Sequence, residues 1–149
     1  MIRVQLNTRE WDVFNRQMTD IARYPEKYRI FSTLANMLLK TWWAETFRKE
    51  GARRGHQAWQ ALSPDYAAWK MGQGKAKRIL QLSGDLLGSV ETQESGLDYL
   101  VWGTQKFYAE YHQEGAGRLP VREMIFITAE DISEMEEFVS NFIENELRI

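Results

Sequence analysis

Apolar positions change their spacing several times along this chain, and each change marks an element. Ile2, Val4 and Leu6 alternate with Arg3 and Gln5, a period of two that predicts a short half-buried strand. Asn7 follows as a helix cap, with Glu10 three residues on completing a capping-box pattern. Trp11, Phe14, Met18 and Ile21 then recur at helical spacing and give one apolar stripe. Tyr24-Pro25 ends that helix. Pro25 opens the next, because the N–H it lacks has no helical partner at that position. Tyr28, Phe31, Ala35, Leu38 and Trp42 form the new stripe, widened by Leu34 and Leu39. Running to about Gly51, this helix spans roughly 40 Å and is the longest element expected.

Periodicity is lost after Gly51. The residues Gly51, Arg53, Arg54, Gly55, His56 and Gln57 read as an exposed, mobile loop. Ser63-Pro64 restarts a short helix, with serine as cap and proline at its first position. Gly72-Gln73-Gly74-Lys75 ends it in a flexible basic turn, and Ser83 caps a further helical stretch through Leu86, Leu87 and Val90. Residues 97–102 are rich in aromatic and branched side chains and predict a strand, paired through a turn at Ser95-Gly96 with a weaker strand at 90–94. Residues 103–117 read as a connection holding the aromatics Phe107, Tyr108 and Tyr111. Residues 121–128 are apolar at consecutive positions and predict a second strong strand, central and covered. Thr128 caps a last helix striped by Ile132, Met135, Phe138, Val139, Phe142 and Ile143. The fold class is α+β: a small, mainly antiparallel sheet packed with a long helix in the N-terminal half and a C-terminal helix. One domain over residues 1–149 is expected.

Composition narrows the chemistry. No cysteine is present, which removes disulfides, thiolate metal sites and cysteine nucleophiles. No apolar run suits a signal peptide or a membrane span, so a cytosolic site of synthesis is expected. The net charge is -2, which gives no bulk reason to expect nucleic acid as a partner. The distribution is polar, however. Arg48, Lys49, Arg53, Arg54, Lys70, Lys75, Lys77 and Arg78 make the middle basic, while Glu130, Asp131, Glu134, Glu136, Glu137, Glu144 and Glu146 make the C-terminus acidic. If these faces point apart, neighbouring copies could pair through them. The basic segment 48–78 also interleaves Trp59, Tyr66 and Trp69, the composition of a nucleic-acid-binding regulator and the main competing function.

Catalytic signals are weak. His56 and His112 are the only histidines, and neither has a second histidine at ligand spacing, so no metal site is expected. His112 could serve as a base to Ser63 or Ser83, but a local hydrogen-bonding role in its loop fits better. Gly72-Gln73-Gly74-Lys75 lacks the first glycine and the hydroxyl residue of a phosphate loop. No catalytic residue, cofactor or small-molecule substrate is predicted.

Four blocks in fixed order carry more information. They are residues 59–70 (Trp59, Leu62, Ser63, Pro64, Tyr66 and Lys70 as fixed points), 79–90 (Ile79, Leu80, Ser83, Gly84, Leu86 and Ser89), 108–115 (Tyr108, Ala109, His112, Gln113 and Gly115), and Pro120 with Arg122. The series resembles the phage virion morphogenesis, or tail completion, family of Mu-like temperate phages over residues 59 to 128. Ser83 stands where that family usually has threonine. The resemblance implies a non-enzymatic structural protein of a phage or prophage, acting in tail completion or head-tail joining. It implies other tail or neck proteins as partners, a homo-oligomeric ring, and a place in the virion after assembly in the host cytoplasm. On this reading Arg53, Arg54, Trp59, Arg118 and Arg122 are the candidate interface residues.

Overall fold

The computed structural model describes residues 16, 19–21, 23–75, 78–95 and 100–146. Helix α1 covers Pro25–Arg48 and is followed by a 3₁₀ turn, Arg53–Gly55. Helices α2 (Pro64–Gly72) and α3 (Asp85–Gly88) precede strands β1 (Val90–Ser95) and β2 (Leu100–Thr104). Helices α4 (Tyr108–Glu114) and α5 (Ala129–Glu146) complete the order. The α+β class holds, with one two-stranded antiparallel sheet among the described residues. The expected strand at 2–6 and the helix start at Asn7 lie outside those residues. Ile21 from the first stripe is described and fully buried.

α1 begins at Pro25 as its sequence requires and buries two stripes rather than one. Phe31 and Ala35 pack with Val139 and Phe142 of α5, and the Phe31 ring meets those of Phe138 and Phe142 at 5.4 and 5.3 Å. Lys27 pairs with Glu146 at one end of the pair, and Trp42 donates to Glu134 further along. The two helices therefore run antiparallel. Trp43 and Phe47 turn the other way, into a second core with Trp59, Ile79, Leu86, Val90, Ala109, Met124 and Ile125. Leu34, expected to widen the first stripe, is exposed.

The two expected strands pair antiparallel, but not through a turn at Ser95-Gly96: Ser95 lies in β1 opposite Leu100, and the ladder runs on to Val90 opposite Thr104, with an irregularity between Thr92 and Glu94. Thr92 donates to the Asn36 side chain at 3.0 Å, and Trp43 Nε1 donates to the Leu87 carbonyl at 2.8 Å. These two bonds seat the hairpin and α3 on α1.

Two expectations fail here. Residues 103–117 are not merely a connection, since α4 forms within them. Helix α4 buries Ala109 while leaving Phe107 and Tyr111 exposed. Residues 121–128 are covered only in part, with Arg122, Met124 and Ile125 buried and Val121 exposed, and they form no strand. Side chains replace the ladder. Gln113 Oε1 accepts from the backbone N–H groups of Met124 and Ile125, at 2.8 and 3.0 Å, and its Nε2 donates to the Ile125 carbonyl at 2.8 Å. Trp59 Nε1 donates to the Glu123 carbonyl at 2.8 Å. A buried extended segment needs its backbone groups satisfied, whichever atoms supply the partners.

Candidate functional site

The segment after α1, expected to be exposed and mobile, is the most tightly held charged region described. Glu50 and Arg54 take positive φ, 48° and 49°, and Gly51 lies at 91°. This left-handed winding turns Arg53 inward, where its side chain is 1 % exposed. Arg53 binds both carboxylate oxygens of Asp131, which is fully buried on α5. Its Nε donates to Thr46 Oγ1 at 3.0 Å, and Thr46 Oγ1 donates in turn to the Trp42 carbonyl at 2.9 Å. Arg54 reaches the same Asp131 at 2.9 Å and also pairs with Glu134. Glu134 accepts from Trp42 Nε1 at 2.9 Å, which closes the network on itself. The Arg53 guanidinium lies over the Phe126 ring at 4.9 Å, and the His56 ring stacks on the same Phe126 ring at 3.6 Å between centroids.

Thr128 and Asp131 add a reciprocal cap at the head of α5. Asp131 Oδ2 accepts from the Thr128 N–H at 2.8 Å, and Thr128 Oγ1 accepts from the Asp131 N–H at 3.2 Å. Thr128 is the cap read from sequence, and Asp131 supplies its return bond.

This network bears on three readings. Within the loop Gly51 and Arg53 are buried, against expectation, while Gly55 and Gln57 are exposed. The basic middle and the acidic helix do not face apart, because Arg53 and Arg54 are consumed by Asp131 and Glu134 of the same chain. Among the described residues of segment 48–78, several of the cations that a nucleic-acid-binding regulator would present are turned inward or paired within the chain, while Lys75 and Arg78 stay exposed. Arg53 and Lys70 are buried, and Arg48 and Lys49 both pair with Glu45. Trypsin is therefore expected to cut after Arg53 or Arg54 no faster than the core unfolds. Rapid early cleavage there in a time course would mean the network is open in solution.

Of the five candidate interface residues, Arg53, Trp59 and Arg122 are buried within the chain. Arg54 keeps 20 % of its side-chain surface, and Arg118 is exposed. Trp59 packs edge-on against Phe47 at 5.2 Å, and its backbone N–H donates to the Glu50 carbonyl at 2.8 Å. A Cβ on Gly51 would lie 2.5 Å from the Trp59 ring. Gly51→Ala is therefore expected to cost about 2–3 kcal/mol through strain and overpacking. A denaturant titration with an unchanged midpoint would show that Trp59 can yield.

The four sequence blocks converge. Together they line one cavity of about 900 Å³. The first block contributes residues 60–64, Tyr66 and Lys70, and the second contributes 80–86. Tyr108 and His112 come from the third, and Leu119, Pro120 and Arg122 from the last stretch, with Arg118 beside them. Ser63 caps α2 by accepting from the Tyr66 N–H at 3.4 Å, and Ser83 accepts from the Asp85 N–H at 3.3 Å. The Ser63 hydroxyl thus has a capping role on the wall it shares with His112, whereas Ser83 does not cap α3 as expected, because Gly84, at φ 85°, takes the N-cap position and Ser83 only braces the turn before it. Lys70 is buried and donates to the Arg78 carbonyl. Burial lowers the Lys70 pKa, against the opposing charge of Glu50.

His112 does not fix a loop through its ring as expected. Its Nδ1 is buried without a partner, and the local bond comes from its carbonyl, which accepts from the Arg122 N–H at 2.7 Å. Burial, followed by the nearby Arg122 charge, holds the imidazole below its ordinary range. Sequence reasoning missed Asp131, Gln113 and Gln81 as site residues. Only Asp131 carried a local signal, as the third residue after a capping threonine.

A family model described as the phage virion morphogenesis family matches residues 10–144. A candidate capsid assembly protein G of Escherichia phage Mu is 35 % identical over 72 residues, 48 % of this chain and 46 % of that protein. The Mu-like prophage FluMu G protein 1 of Haemophilus influenzae is 29 % identical over 92 residues, 60 % of this chain and 62 % of its own length. The chain thus spans about half to three-fifths of these relatives. No solved structure matches it. With nearly its whole length matched, the chain belongs to the phage virion morphogenesis family.

Proposed function

We propose that this chain is a structural, non-catalytic virion protein that completes the tail or joins it to the head of a tailed phage. The observation that carries the reading is the convergence of the four blocks on one cavity. Ser63 caps α2, Ser83 accepts from the backbone of a turn, and the buried cations bind carbonyls, so the wall is built for shape and recognition. Exposed Phe107, at the head of α4, and Tyr111 on it supply the kind of aromatic surface that anchors protein partners. Other tail or neck proteins are the partners on this reading, and copies of the chain associate into a ring in the virion.

The test is a null mutation in the phage or prophage that carries the gene, with complementation and electron microscopy of the particles. Unjoined heads and tails, or tails lacking a terminus, are expected. Normal joined and infectious particles from the null would overturn the proposal. Ser63→Ala separates catalysis from structure. It should cost about 1 kcal/mol as a lost cap and still restore particles in the null. A folded Ser63→Ala protein that fails to restore them would point to hydroxyl chemistry. Sedimentation at several concentrations tests the ring, which a strict monomer at high concentration would count against.

A further inference from the structure

The cavity holds more hydrogen-bond donors than the chain uses. Arg122 is 6 % exposed, and its Nε and Nη2 donate to the carbonyls of Gln60 and Ala61, at 3.0 and 3.3 Å. Among the described residues no carboxylate pairs with it. Gln81 Nε2 and His112 Nδ1, on the same cavity, are buried with no partner, and the imidazole nitrogen is a donor in its Nδ1–H tautomer. Arg118 stands on the exposed side of the cavity and makes no ion pair among the described residues. Buried donors without acceptors are uncommon in folded proteins and ask for a partner. The acid on this wall is Asp85, and it is exposed.

We propose that the cavity docks a segment of a partner protein that carries an aspartate or glutamate beside apolar residues. A carboxylate accepts several hydrogen bonds at once and takes two from a guanidinium in a fixed fork. That matches a guanidinium, an amide N–H and an imidazole nitrogen on one wall. The apolar neighbours of the carboxylate would cover Leu82 and Leu119, which are 42 % and 44 % exposed. The volume lies in the range of sites that enclose drug-sized groups, about 300–1,000 Å³, enough for a few residues of an extended chain. A nucleic-acid backbone suits the site less, because Asp85 stands on the wall and the whole chain carries a net charge of -2. The proposal rests on the function proposed above only in taking the partner to be another virion protein.

The test uses the full chain, immobilised, and a library of random dodecapeptides displayed on filamentous phage. Selected sequences are expected to share one Asp or Glu flanked by apolar residues. A synthetic peptide from that set should bind about tenfold more weakly when its acid is changed to the amide, and similarly against Arg118→Glu or Gln81→Met protein. Arg118→Glu alters an exposed side chain, so its folding is checked simply by an unchanged denaturation midpoint. Selection that yields no binder, or binders without an acid, overturns the proposal. So does equal affinity for the amide peptide. Competition by inorganic phosphate or oligothymidylate at concentrations matching the peptide overturns it in favour of a general anion site. If Arg118→Glu restores normal particles in the null, this docking site fails while the assembly function stands.

Discussion

Asp131→Ala is expected to destabilise the protein by about 3–5 kcal/mol, because it strands a buried guanidinium. Arg53 and Asp131 are 1 % and 0 % exposed in their side chains. Removing the carboxylate also takes a partner from Arg54 and the return bond from the α5 cap. Arg53→Ala strands the carboxylate in the same way and should cost a similar amount. Replacing both with apolar residues of similar size should recover much of the loss, since neither charge is then left alone. Urea midpoints at constant slope measure all three, and a single-variant loss below about 1 kcal/mol would show that water reaches the pair. The pair also fixes the acid limb of stability. Burial raises the Asp131 pKa, but the hydrogen bond from Arg53 and the backbone bond from Thr128 outweigh it, leaving the carboxyl below its ordinary 3.8. A carboxyl lowered on folding contributes stability that is complete above its unfolded value and lost as pH falls through the folded one. Stability should therefore fall as pH drops below about 4, and Asp131→Asn should flatten that fall.

Elements held by local rules were legible in the sequence. Pro25 and Ser63-Pro64 start helices where their backbone chemistry requires, and Thr128 caps α5. The hairpin followed from its branched and aromatic residues. The failures came where distant groups decide. Arg53 and Arg54 lack apolar periodicity and sit among glycines, so they read as solvent-facing. What buries them is a carboxylate 78 residues away from Arg53, and no local window contains both. The same distance made the charge pattern misleading. A basic stretch and an acidic helix suggest opposed faces only if they do not fold onto each other, and here α5 runs antiparallel to α1 and delivers its first turn to the end of α1. The cavity was half legible. Its four blocks stand out in order along the chain, but each looked like a separate helix start or turn. Their convergence depends on the path between them, which sequence spacing does not record. The orphaned nitrogens of Gln81 and His112 belong to that convergence and leave no mark on composition.

Gln113→Met is expected to cost about 3–4 kcal/mol, which is large for a polar residue on a short helix. The segment 121–128 reads as a central, covered strand, and that packing expectation holds for Met124 and Ile125 but not for exposed Val121. A strand would satisfy its backbone by a ladder. Here one amide side chain does the work for two residues, accepting from two N–H groups and donating to one carbonyl. Methionine keeps the length of the side chain and removes all three bonds. Each buried backbone group left unsatisfied costs about 1–3 kcal/mol, and partial access to water brings the sum down from the upper end. Gln113→Glu separates donor from acceptor. A carboxylate still accepts from both N–H groups but sets a negative oxygen against the Ile125 carbonyl, so its loss should be intermediate and shrink as the pH is lowered enough to protonate it. Hydrogen exchange locates the effect. The amides of Met124 and Ile125 should be protected in the native protein and lose protection in Gln113→Met. Protection that survives unchanged would mean that the bonds from Trp59 to Glu123 and from Arg122 to the His112 carbonyl hold the segment unaided.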